Sequence, residues 1–64
     1  MCIATIYVDH AGQLQKVMQD VVSVEFKNGS ILLTTILGEE KLLRARAKHI
    51  DFLKHSVTVE STQS

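Results

Sequence analysis

Cys2 carries the only thiol in the sequence, and it is the residue best placed to do chemistry. A single cysteine on an apolar strand face is ordinarily a small buried hydrophobe. Next to the N-terminus it also offers a thiolate, its own backbone nitrogen and, one residue away, the amine of Met1. The thiolate and backbone nitrogen of Cys2 can close a chelate ring around a metal ion, and the Met1 amine can close a second. Nitrogen and thiolate donors in a tetragonal plane favour Ni(II) or Cu(II), the latter limited in a reducing compartment. One chain supplies only one sulfur. Two chains related by a two-fold axis bring two Cys2 thiolates to one ion on that axis. The residues thus offer two readings, a metal shared by a homodimer or a packed core thiol.

The other reactive side chains form no recognisable machinery. There is no Gly-rich phosphate loop, no G-x-S-x-G and no H-E-x-x-H. Asp20 and the Glu39-Glu40 pair read as solvated turn acids. His10, His49 and His55 are spaced without a nucleophile or orienting partner, so they are expected to be surface residues rather than catalysts or ligands. The expectation is that the protein is not an enzyme.

A chain of 64 residues is expected to fold as one domain, residues 1–64. A domain this small buries only about 60% of the surface its unfolded chain exposes, so its stability is marginal. With one cysteine no disulfide within the chain can help, which again favours a homodimer. Seven Lys+Arg balance seven Asp+Glu, without the basic excess that displaces counterions from nucleic acid. Lys41, Arg44, Arg46 and Lys48 are expected to form a solvated face. No apolar run reaches the ~18 residues of a membrane span, and no basic segment precedes an apolar one as in a signal peptide. With an unpaired cysteine, the expected location is cytoplasmic.

Alternation dominates the hydrophobic pattern, so the elements holding these residues are strands. Cys2, Ala4, Ile6 and Val8 share one face of a first strand; Asp9-His10-Ala11-Gly12 has turn chemistry. Leu14 to Gln19 fits a short strand or a helical turn. From Asp20 the pattern places Val22, Val24 and Phe26 on one face. Asn28-Gly29 is the strongest short hairpin signal and predicts a type I′ turn, pairing Phe26 with Ile31 and Val24 with Leu33. Ile31 to Leu37 returns, and Gly38-Glu39-Glu40 breaks it. Lys41 to Ala47 is read as a strand. Lys48 to Leu53 alternates imperfectly, with Ile50 and Phe52 on one side. After a turn at Lys54-His55-Ser56, Val57 to Glu60 closes the fold, and 61–64 is expected to fray. The expected class is all-β, a small SH3-like or Sm-like antiparallel barrel or half-barrel of about five to seven short strands.

Met1-Cys2, the Gly29 hairpin, Thr34-Thr35-Ile36-Leu37-Gly38-Glu39-Glu40 and Ile50-Asp51-Phe52-Leu53 occur in an order that resembles the CooT family. These are small nickel-binding accessory proteins associated with maturation of the nickel site of carbon monoxide dehydrogenase. The resemblance implies Ni(II) bound by Cys2, one ion shared by a dimer, and a nickel enzyme or other nickel accessory protein as client. It assigns no role to any histidine. The alternative is a small-barrel RNA-binding or protein-interaction module with Cys2 as a packing residue. Against it stand the charge balance and the scarcity of aromatics, with only Tyr7, Phe26 and Phe52 present and two of them at expected core positions.

Overall fold

The computed structural model describes residues 3–62. Six strands form one curled sheet: β1 (Ala4–His10), β2 (Gln13–Lys27), β3 (Ser30–Thr35), β4 (Glu40–Leu43), β5 (Ala45–Asp51) and β6 (Ser56–Ser61). The spatial order is β4-β3-β2-β1-β6-β5. No helix occurs among the described residues, and the sheet makes a half-barrel. Most neighbours are antiparallel, but β1 and β6 run parallel, with Thr5 beside Ser56 and Val8 beside Val59. A meander alone would not give that pair.

Period-two alternation aims one row from each strand inward. Ile31, Leu33 and Thr35 of β3, Val57 and Val59 of β6, Ile6 of β1, Val21 of β2 and Ala45 of β5 are buried. Ala4, Val8, Met18, Val24 and Leu43 pack against them. Each fully buried aliphatic contributes about 1.5–3 kcal/mol, so a handful of side chains sustains the fold.

The segment read as a strand or a helical turn, Leu14 to Gln19, belongs to the 15-residue strand β2. That strand serves two neighbours. Its first part pairs with β1 as far as Val21, opposite Ala4, and its second part pairs with β3 from Val21, opposite Thr35. Register shifts flank Val21 on both sides. Asp20, just before it, has a left-handed φ of 59°. Bulges bend a strand and strengthen its twist, which lets β2 turn the corner of the barrel.

The bulge also corrects an expected face. Val21 is buried, while Val22 is the extra, outward residue, so the inward row passes from Val21 to Val24. Phe26 pairs with Ile31 and Val24 with Leu33, as the hairpin register predicts. Yet Phe26 is 59% exposed; β1 accompanies β2 only up to Val21, so the far end of β2 is flanked by β3 alone. Phe52, the other aromatic expected inside, is 82% exposed in the turn after β5.

Other boundaries differ for local reasons. β3 stops at Thr35, where Gly38 (φ 87°) and hydrogen bonds tighten the chain into a loop. Thr35 N–H donates to the Glu39 carbonyl at 2.8 Å, and Thr35 Oγ1 accepts from Glu39 N–H at 3.1 Å. Lys41 to Ala47 is two strands, because the chain bends at Arg44 from one edge of the sheet to the other. The last turn spans residues 52–55 rather than 54–56. Ser61 extends β6, and Thr62 is tied down where a frayed tail is expected. Its N–H donates to the Arg44 carbonyl at 3.0 Å and its hydroxyl to the Gly29 carbonyl at 3.0 Å.

The Asn28-Gly29 turn is not type I′. Gly29 has φ 74°, but Asn28 is not among the left-handed residues, so only the second central position needs a positive φ, as in a type II turn. The mirror-type signature falls instead at Ala11 (φ 54°) and Gly12 (φ 85°), where Gly12 N–H donates to Asp9 Oδ1. A Cβ on Gly29 would meet no atom within 4 Å, so its cost is backbone strain alone. Gly29→Val is expected to lower stability by about 1 kcal/mol or more, because a β-branched residue is strained at positive φ. A melting temperature equal to wild type would contradict this.

Asp9 also pairs with Lys48, the bulged residue of β5, across the intervening β6. The Lys48 hydrogen bond and charge hold the Asp9 carboxyl below its ordinary 3.8, and the hydrogen bond and charge of Asp9 raise Lys48 above 10.5. The carboxylate's contribution is present above pH 3.8 and lost as pH falls through its lowered value. The ammonium's contribution is full below 10.5 and lost as pH rises through its raised value. Lys48→Met should therefore melt earlier than wild type near neutrality, with the gap closing at both extremes. A gap that persists in acid would show that the pair is not its cause.

Candidate functional site

The parallel pairing of β1 with β6 decides what surrounds the start of the described chain. Thr5 lies beside Ser56, and Thr5 N–H donates to the His55 carbonyl at 2.9 Å. The turn preceding β6 is therefore packed directly against Ile3 and Ala4. Its shape comes from Asp51, whose Oδ1 accepts from Leu53 N–H at 3.0 Å and Lys54 N–H at 3.1 Å. An Asp side chain accepting from the next backbone amides is a standard turn former. The turn ends on His55, held at φ 50°, a left-handed conformation uncommon for a residue with a Cβ.

This end of the barrel is apolar at its surface. Ile3, Ala4, Ile50, Phe52, His55 and Val57 line an open groove of about 220 Å³. Phe52 is 82% exposed and Leu53 94%. The Thr35–Glu39 loop approaches the same level, since Thr35 is paired to Val21 and Val21 to Ala4. It presents exposed Ile36 and Leu37, and Ile36 N–H is anchored on the Asp20 carbonyl at 2.9 Å. Two of the segments singled out in the sequence, Thr34–Glu40 and Ile50–Leu53, are thus a tied loop and a capped turn, each carrying large apolar residues into solvent.

Cys2 and the Met1 amine lie outside the described residues. Ile3 lines the groove, so Cys2 is joined covalently to its rim. The histidines are not brought together. His10 ends β1, far from Ala4, and His49 sits in β5 opposite Thr58, which in turn neighbours Tyr7. Among the described residues no three His, Cys, Asp or Glu side chains cluster as a metal site.

Two of the four basic residues are paired with acids. Arg46 Nε pairs with Glu60 at 2.7 Å and Lys48 pairs with Asp9. The exposure of Phe26 and Phe52 removes buried aromatics as an argument against base stacking, and the charge balance is what remains of that case. A larger depression of about 500 Å³ at the Gly29 hairpin is lined by Asn28, Ser30, Leu42, Arg44 and Thr62, with Arg44 as its only charged residue. No helix long and apolar enough to cross a membrane occurs among the described residues.

The fold is that of a solved structure, CooT from Carboxydothermus hydrogenoformans, with a TM-score of 0.88 over 97% of this chain and 100% of that one, at 19% identity. No curated protein matches it in sequence. Residues 1–60 match the family model described as CO dehydrogenase accessory protein CooT. With nearly the whole chain covered, this protein belongs to the CooT family of CO dehydrogenase accessory proteins.

Proposed function

We propose that this accessory protein handles Ni(II) for maturation of the carbon monoxide dehydrogenase nickel site, binding the ion through Cys2 between two copies of the chain. The observation that carries the reading is the apolar groove at Ile3, with Phe52 and Leu53 exposed beside it. The residue that would hold the metal is attached to the rim of a surface suited to burial by a second copy. A two-fold axis through this end would bring two thiolates to one ion and remove the exposed Phe52 and Leu53 from water.

The chemistry supports nickel as cargo. A thiolate is a soft donor, and sulfur with nitrogen in a tetragonal plane suits Ni(II). One thiol per chain makes sharing the simplest route to two sulfur donors. Ions held near a surface, with few protein donors, can be passed on by ligand exchange. A delivery protein needs that property, and no catalytic step is required of this chain.

Native mass spectrometry of the nickel-loaded protein should give one Ni(II) per two chains. A monomer holding its own ion would sink the shared site. Cys2→Ser replaces the thiolate by a hydroxyl that stays protonated at neutral pH. Nickel binding and thiolate-to-nickel charge-transfer absorption should vanish while the melting temperature stays near wild type. The packing alternative reverses both observables, because a buried hydroxyl without a partner costs roughly 1–3 kcal/mol and would leave any nickel binding intact.

A further inference from the structure

We propose that the depression at the Gly29 hairpin is a carboxylate-binding site, with Arg44 as its cation and Asn28 and Ser30 as its neutral donors. At about 500 Å³ it exceeds the apolar groove of about 220 Å³, and the two share no lining residue. It therefore stands apart from the nickel reading.

Charge singles the place out. Of the seven Lys and Arg residues, Lys27, Arg46 and Lys48 are paired with acids, and the Lys16 ammonium donates to Gln19. The side chains of Lys41, Arg44 and Lys54 have no partner among the described residues. Lys54 lines a depression that also holds Asp51, whose charge opposes its own. Lys41 follows Glu39 and Glu40 on the edge strand β4. Arg44 alone of the three lines a depression with no acid in its wall.

The site is held in shape by Thr62. The Arg44 carbonyl accepts from Thr62 N–H at 3.0 Å, and Ala45, the next residue, is buried. The Thr62 hydroxyl donates to the Gly29 carbonyl at 3.0 Å on the opposite wall. Turn and corner are thus clamped together, which lowers the ordering cost of binding between them. The Asn28 amide and the half-buried Ser30 hydroxyl make no side-chain hydrogen bond among the described residues, so both can donate.

A guanidinium presents paired N–H groups that match the two oxygens of a carboxylate. One cation balances one carboxylate. A phosphoryl group carries about −1.5 to −2 near neutrality and would be left undercompensated here. Leu42, 59% exposed in the same wall, offers contact to a short aliphatic stem. The ligand is therefore an aliphatic carboxylate, on a small organic acid or on the Asp or Glu side chain of a partner protein.

The test follows backbone amide NMR signals of the full-length protein at constant ionic strength. The probes are butyrate, a blocked tripeptide with a central glutamate, and inorganic phosphate. Signals of Gly29, Ser30 and Arg44 should move and saturate with the carboxylates, and phosphate should bind more weakly. Tighter binding of the tripeptide supports a partner's acidic side chain as the source, and tighter binding of butyrate supports a free acid. Arg44→Gln should weaken binding roughly tenfold or more, with its melting temperature unchanged because the guanidinium has no native partner. Arg44→Lys keeps the charge but loses the paired donors, so it should fall between the two. Lys54→Gln should bind as wild type does. Wild-type affinity in Arg44→Gln, no saturation with either carboxylate, or phosphate binding tighter than both would overturn the proposal.

Discussion

Val21 must satisfy two neighbours at once. Opposite Ala4 on one side and Thr35 on the other, it is the point where β2 leaves β1 and takes up β3. No flat strand can do this while keeping the same face inward. The left-handed Asp20 and the extra residue Val22 absorb the mismatch, and Val21 itself is almost wholly buried. The curl of the sheet follows from this corner. So does the placement of β3 over the core, where Ile31 and Leu33 meet Ala45 and Val59. A matching corner at Arg44 carries the chain from one sheet edge to the other, and Thr62 fastens it there together with the Gly29 turn.

Much of this was legible in the residue pattern, and what was not has a common cause. Alternation in Ile31-Leu32-Leu33 and Val57-Thr58-Val59 identified strands whose inward rows are as expected. The Asn28-Gly29 signal set the β2–β3 register, because a two-residue loop places Phe26 opposite Ile31 and Val24 opposite Leu33. Bulges are where the pattern misled. A single inserted residue reverses every side chain beyond it, and nothing in the types of Val21 and Val22 says which is the extra one. The exposure of Phe26 and Phe52 was hidden for a related reason. Hydrophobicity marks a face, but only the end of a neighbouring strand decides whether that face is covered.

The candidate site shows the same division. The thiol of Cys2 was visible as a candidate donor, although Cys2 itself lies outside the described residues. Its surroundings were not, because β1 and β6 meet through a parallel pairing that no local signal announces. That pairing turns the Phe52–His55 turn from an ordinary surface loop into the wall of a groove. The exposed apolar residues of this turn and of the Thr35–Glu39 loop leave large aliphatic and aromatic side chains in water at this end of the barrel. A domain with so few buried side chains gains from any further burial.

The parallel pair also fixes the order in which the groove can come into being. Thr5 belongs to the first strand and Ser56 to the last, so the wall beside Ile3 and Ala4 is completed by the final element of the chain. Closing a contact this distant in sequence costs more chain entropy than closing the local hairpins. A chain still emerging from the ribosome therefore carries Ile3 and Ala4 without the strand that walls the groove beside them, and the groove exists only once β6 has been made and paired.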